Sequence, residues 1–347
     1  MAPLELTNTP AGRGLMMWLG LALGAGVIGV VIGSAELGML TVLGALFALA
    51  HAVDRDSRWL GLHLFLAWIL PAIAVFGFLG LAAILAGALP GLERHPAGAI
   101  VSVVAAALTA LTFWPAFTDA LAQRLFRRRP STHGLRLATR LMVVGLAACY
   151  PTSVAFRIAF EQDQLDAVRI GTASFVGTLL GMVLLSLGAV GAFVTRDLRG
   201  SIARLGLRQL RAWDPVVVVL GVAALLALNT GVEWAQQAWF PAAGLHDRRV
   251  TEFIANPLSR LEMVMLGLSA GIGEELALRG ALQPRLGILV TALLFGSLHV
   301  QYSWVGMIAI VLFGLLFGVV RRATSTTVVI LMHVIYDLIA VMGARSS

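Results

Sequence analysis

Two adjacent carboxylates, an arginine, two histidines and an aspartate stand in the apolar C-terminal quarter of this 347-residue chain. They are Glu274, Glu275 and Arg279 in "GIGEELALRG", His299 in "FGSLH", and His333 with Asp337 in "HVIYD". An ionisable side chain within a membrane helix costs about 3 kcal/mol or more unless it is paired, so such residues mark function or tight pairing. Glu274, His299, His333 and Asp337 are of the donor types that hold zinc, either as four ligands or as three with a water. A zinc-bound water ionises near a pKa of about 7, and a carboxylate beside it can take the proton as the oxygen attacks a carbonyl. The chemistry that fits is hydrolysis.

The elements that must bring these groups together are helices. On a helix Glu274 and Glu275 point about 100° apart and cannot share a job. Glu275 has Arg279 four residues on, the favoured acid-to-base order, and reads as a structural ion pair that leaves Glu274 for the interior. His333 and Asp337 share a helical face one turn apart and could share an ion or a water. With a rise of about 1.5 Å per residue, Glu274 lies roughly 15 Å from the turn at Pro284–Gly287, His299 roughly 18 Å from it, and His333 roughly 16 Å from Arg322. Three helices thereby bring a Glu and two His to one level. Gly271 and Gly273 would admit another backbone close to Glu274.

The surroundings are a membrane protein's. Hydrophobic residues make up 59% of the chain and charged residues 12%, against about 25% charged in a soluble domain. About eleven apolar runs approach the roughly 20 residues a span requires, near 15–33, 37–53, 60–88, 97–118, 141–160, 168–195, 215–233, 258–283, 287–303, 304–320 and 325–343. The net charge of +7 is unevenly spread. Arg55 and Arg58, then Arg124, Arg127, Arg128, Arg129, Arg136 and Arg140, then Arg196, Arg199, Arg204, Arg208 and Arg211, then Arg285, Arg321 and Arg322 fall on one side when the spans alternate. Glu36, Glu93 with Arg94, and the acidic Glu161, Asp163 and Asp166 fall on the other. Positive residues in short loops mark the cytoplasmic face, so the N-terminus is expected inside. Beside so many spans the arginines do not read as a nucleic-acid surface. The lone Cys149 excludes an internal disulfide and a cysteine metal cluster.

Elsewhere ionisable groups are isolated near span ends, as at His51, His63, Asp119 and Glu233, and read as snorkelling or locally paired. Gly20 with Gly24, Gly29 with Gly33, and Gly314 with Gly318 have helix-packing spacing. The expected division is a cytoplasmic leader 1–14, a multi-span region 15–233, an outer interfacial linker 234–257 rich in Trp234, Trp239 and Phe240, and a core 258–343. Three readings of the core stay open on the residues alone. They are a hydrolase, satisfied core side chains, and an ion or proton pathway of a transporter; no inverted repeat supports the last.

The three motifs also resemble a known family. "EELALR", "FGSLH" and "HVIYD" follow the order E-E-x-x-x-R, F-x-x-x-H, H-x-x-x-N/D of the CPBP intramembrane proteases, which include the type II CAAX prenyl endopeptidases and bacteriocin-processing or immunity proteins. The resemblance covers roughly 258–343. It implies that Glu274 is the catalytic glutamate, that His299, His333 and Asp337 handle metal or water, and that Glu275 and Arg279 support them. The prenyl endopeptidases carry Asn where Asp337 stands, and the stretch between the first two motifs is short for the family.

The expectation is a polytopic all-α bundle in the bacterial plasma membrane. Its C-terminal core is expected to be a zinc-dependent intramembrane endopeptidase that opens toward the cytoplasm. It would cleave a membrane-associated or lipidated protein or peptide, near the C-terminus. Its partners would be the lipid bilayer and that substrate, with no nucleic acid. A non-proteolytic scaffold or immunity protein of the same family is the alternative, and an ion-coupled transporter comes third.

Overall fold

The computed structural model describes residues 9–88, 94–126, 132–161, 171–299 and 301–346. Glu93, Arg127, Arg128, Arg129, Asp163 and Asp166, expected to mark the two membrane faces, lie outside the described residues. Among the described residues every regular element is helical, and the fold is a polytopic all-α one. Among the described residues seven helices are long and apolar enough to cross a membrane: Pro10–Ile32, Ala35–Val53, Ser57–Ala88, Thr172–Ala189, Asp214–Trp239, Trp304–Ala323 and Thr326–Ala344.

Of the four other expected spans, the run 141–160 lies within a longer helix, His133–Glu161, and three differ in instructive ways. The run 97–118 falls on two helices, α4 (Pro96–Leu111) and α5 (Pro115–Phe126), bent by 93°. The run 258–283 becomes α11 (Arg260–Glu275) and then a wider π-helical segment, Leu276–Leu282. Its five charged residues set it apart from an ordinary apolar span. The run 287–303 yields only α12 (Gln283–Ser297), broken at Gly287, whose φ of 82° no regular helix allows. Its 15 residues reach about 22 Å, short of the roughly 30 Å hydrocarbon core. The segment 234–257 is helical as well: α9 (Asp214–Trp239) runs into it and α10 (Pro241–Ala255) follows.

The chain forms two compact units, Met1–Gly12 with Leu49–Ala167, and Arg13–Ala48 with Val168–Ser347. In the first, α3 (Leu60–Ala83) packs on α4 and on α6 (His133–Glu161). Arg140, expected in a cytoplasmic loop, is instead buried on α6. Its position follows from Pro71 inside α3. Proline has no N–H to return to the carbonyl four residues earlier, and that carbonyl belongs to Ala67. Arg140 donates to it from Nη1 at 2.8 Å and, from Nε, to the carbonyl of Thr112 at the end of α4 at 3.1 Å. Its guanidinium also lies over Trp68, 5.7 Å from the ring centre.

The second unit holds the C-terminal core. Here α11 packs against α7 (Thr172–Ala189) and α14 (Thr326–Ser346), and α12 packs against α13 (Trp304–Ala323). Glycine sets these approaches. A Cβ on Gly271 would stand 2.8 Å from the Val334 nitrogen, and one on Gly314 would stand 3.0 Å from Ala292 Cα. Gly20 and Gly24, expected to do the same, face open space, while Gly33 supplies the positive φ of the turn after α1 (Pro10–Ile32). An apolar core of Val222, Leu225, Leu278, Phe313, Val329 and Met332 fills the space between α9, α13, α14 and the π segment.

Arg140→Met orphans the Ala67 carbonyl, so unfolding should show a loss of about 1–3 kcal/mol. Adding Pro71→Ala restores an amide to that carbonyl. The double variant should recover most of the loss, more than Pro71→Ala adds to the wild type.

Candidate active site

The site is built on the break in α11. This helix begins at Ser259, which closes a capping box with Glu262, and its first turns are regular. At Glu275 the winding widens into the π segment, a feature often found at functional sites. The widening precedes Pro284, which has no N–H for the carbonyl of Gly280. Arg204, on the short helix α8 (Leu198–Arg204), donates instead to the carbonyls of Gly280 at 3.0 Å and Ala281 at 3.4 Å.

Glu275 lies at the centre, fully buried. Arg279 Nε donates to its Oε2 at 3.1 Å, as the i,i+4 spacing anticipates. A second contact was not legible in the sequence: His333 Nδ1 lies 3.0 Å from Oε1 of Glu275. An ionised carboxylate only accepts, so His333 carries a proton on Nδ1. Its Nε2 lies 3.5 Å from Asp337 Oδ2, an ion-pair distance too long for a good hydrogen bond.

Two aromatic rings complete this arrangement. The Arg279 guanidinium stands 5.2 Å from the centre of Phe295 and 5.9 Å from that of Phe317. Its two Nη atoms are buried with no hydrogen-bond partner among the described residues, so the ring faces meet their charge. His333 stacks on Phe317 at 4.9 Å and meets Phe295 edge-on at 5.8 Å. Phe317 gave no sequence signal, being one aromatic in an apolar helix.

His299, at the end of α12, meets the other side of Phe295 at 5.0 Å. Its Nδ1 is 2.8 Å from the Phe295 carbonyl. A carbonyl only accepts, so Nδ1–H is committed there and the lone pair sits on Nε2. The turn after His299 is clipped to α10. Asp247 accepts from the Ser303 nitrogen at 2.5 Å, Ser303 Oγ at 2.8 Å and Gln236 Nε2 at 2.6 Å. Asp247 and Ser303 belong to no motif, and a lone Asp in a helix of mixed composition carries no flag.

The six expected residues thus come together, though not at one depth along their helices. Because α14 starts at Thr326, His333 is only about 10 Å along it and Asp337 about 16 Å. Asp337 lies within electrostatic range of His333, Glu274, His299 and Glu275. Glu274 Oε2 is buried with no hydrogen-bond partner among the described residues.

As arranged, these donors form no closed metal cage. Among the described residues no three His, Cys, Asp or Glu side chains form a group that could hold a metal ion. His299 and His333 each hold Nδ1 to an oxygen and keep Nε2 for a water or an ion, while Glu275 is held by Arg279 and His333. Of the expected set, Glu274, His299 and His333 thus lie within electrostatic range of Asp337 without forming a preformed cage among the described residues.

Residues 256–339 match the family described as type II CAAX prenyl endopeptidase Rce1-like. The likeness is confined to this segment. All six site residues fall within it, whereas Asp247, Gln236 and Arg204 lie outside. An uncharacterized protein of Bacillus subtilis (strain 168), YpbD, is 26% identical over 162 residues, covering 46% of this chain and 82% of its own length. No solved structure matches.

Within this segment the two glutamates should part company under substitution. Glu275→Gln leaves Arg279 buried without its counter-charge and should cost about 3–5 kcal/mol in unfolding. Glu274→Gln removes a carboxylate that nothing holds and should leave the unfolding midpoint unchanged or raise it.

Proposed function

We propose that the Rce1-like core is an intramembrane endopeptidase in the bacterial plasma membrane, acting on a membrane-associated or lipidated protein near its C-terminus. The observation that carries this reading is the contrast between neighbours: Glu275 is doubly paired and fully buried, while Glu274 has a buried oxygen with no partner. A carboxylate held this way is suited to accept a proton from water. The water oxygen then attacks the scissile carbonyl carbon. The proton held on Glu274 passes to the amide nitrogen as the C–N bond breaks, which leaves a new carboxyl end and a new amine.

His299 orients the attacking water. With Nδ1–H committed to Phe295, its Nε2 accepts the second hydrogen of that water and aims the oxygen lone pair. His333 and Asp337 line the same space and fix its charge, and Glu275 with Arg279 keeps His333 in place. The bilayer supplies the partner surface, and the arginine-rich helix ends put the cytoplasm on the side of Pro284 and Arg322.

The test uses purified full-length protein in liposomes with membrane-anchored peptides carrying varied C-terminal extensions, with products read by mass spectrometry. Wild type should release defined fragments, and Glu274→Gln and His299→Ala should each slow release by about 10²–10⁴-fold while folding normally. Wild-type rates in Glu274→Gln, or no cleavage by well-folded wild type across the set, would sink the proposal.

A further inference from the structure

A second group of residues attracts a ligand of another kind. Arg204 is tucked beneath the end of the π segment, with its guanidinium on the Gly280 and Ala281 carbonyls. Burial, and then the positive charges of Arg285, Arg196 and Arg321, bring it down to about 10. The fold forces this crowding. Thr326 donates through Oγ1 to the Leu205 carbonyl at 2.6 Å and through its nitrogen to the Gly206 carbonyl at 3.1 Å, which ties the loop after α8 to the turn between α13 and α14. Gly206, with φ of 76°, leaves room for Arg321, whose Nη2 stands 3.2 Å from where a Cβ would be.

Nearby acids are already committed. Asp197 caps α8 by accepting from Gly200, and Asp214 holds Arg208 at 2.6 and 3.0 Å. Arg321 has a buried Nε with no hydrogen-bond partner among the described residues. A half-buried Arg204 guanidinium beside other arginines, with carbonyls but no carboxylate hydrogen-bonded to it among the described residues, is unfavourable unless an anion joins the group. Arginines in this density suit phosphate, which accepts two parallel N–H bonds from one guanidinium. Their placement at helix ends with positive-inside character sets them at headgroup level on the cytoplasmic face.

We propose that Arg285 and Arg321, beside the carbonyl-bound Arg196 and Arg204, form a binding site for a net-anionic phosphate, carried by an anionic lipid headgroup or free in solution. Arg204 stays on the π-segment carbonyls, and the phosphate sits against the exposed edges of Arg285 and Arg321. A small rotation of the Arg321 side chain brings its unused Nε–H onto a phosphate oxygen. The ligand thereby steadies the segment that carries Glu275 and Arg279, whatever reaction the core performs.

The test is thermal unfolding of the delipidated full-length protein in neutral detergent, with bound lipid counted by native mass spectrometry. Phosphatidylglycerol, phosphatidylcholine of the same chains and inorganic phosphate are added separately. Phosphatidylglycerol should raise the midpoint by several degrees and remain bound, and phosphatidylcholine should do neither. Arg285→Gln with Arg321→Gln should lose the shift, whereas Arg322→Gln, which removes a neighbouring exposed charge, should keep it. An equal shift with inorganic phosphate, lost in the same double variant, supports the site and makes free phosphate its ligand. No shift in wild type, an equal shift with phosphatidylcholine, or a shift that survives in the double variant overturns the proposal. If the double variant does not fold, Arg285→Gln alone is read against Arg322→Gln by the same criteria.

Discussion

A carboxylate removed from water must be met by positive charge and hydrogen-bond donors, and Glu275 is removed completely. Arg279 and His333 answer it from two helices, and each of these needs its own accommodation. The surplus charge of Arg279 is spread over Phe295 and Phe317, and His333 is stacked on Phe317 with its second nitrogen toward Asp337. Because an ion pair buried in a low-dielectric region loses heavily when one partner is removed, these residues hold one another in place. Glu274, one residue earlier and about 100° around the helix, is excluded from that network. Its freedom is a consequence of its neighbour's commitments.

A second constraint recurs in both units. A proline inside or at the start of a membrane helix leaves a carbonyl without its donor, and apolar surroundings offer no water to replace it. Arg140 answers Pro71 through Ala67, and Arg204 answers Pro284 through Gly280. Arginine suits this task because its long stem can pack along apolar surface while its fork reaches more than one acceptor. The cost is a charge held away from bulk water. In the first unit Trp68 and two carbonyls offset it, whereas around Arg204 the neighbouring charges are other arginines.

Much of the site was legible because its spacings obey helical geometry. Glu275 with Arg279 and His333 with Asp337 are i,i+4 pairs, and the structure keeps both within ion-pair range. The contact between Glu275 and His333 spans 58 positions and depends on how α11 and α14 cross at Gly271, which no local pattern encodes. The same limit hid Asp247, whose value lies in meeting Ser303 from another helix. The all-helical membrane fold followed from composition. The helix breaks at Thr112–Trp114, Leu276–Leu282 and Gly287 did not, since hydrophobicity alone does not distinguish a straight span from a bent or widened one. The reading of Arg140 as a loop charge failed for a related reason, because the carbonyl it serves is in a different helix.

The most direct measurement is an experimental map of the full-length protein prepared with equimolar zinc, at a resolution that shows ordered water and with anomalous data at the zinc edge. The account predicts a water between Glu274 and His299 Nε2, His333 Nδ1 bonded to Glu275, and no anomalous peak among the four side chains. A zinc peak bonded to His299 and His333, with His333 turned away from Glu275, would contradict it.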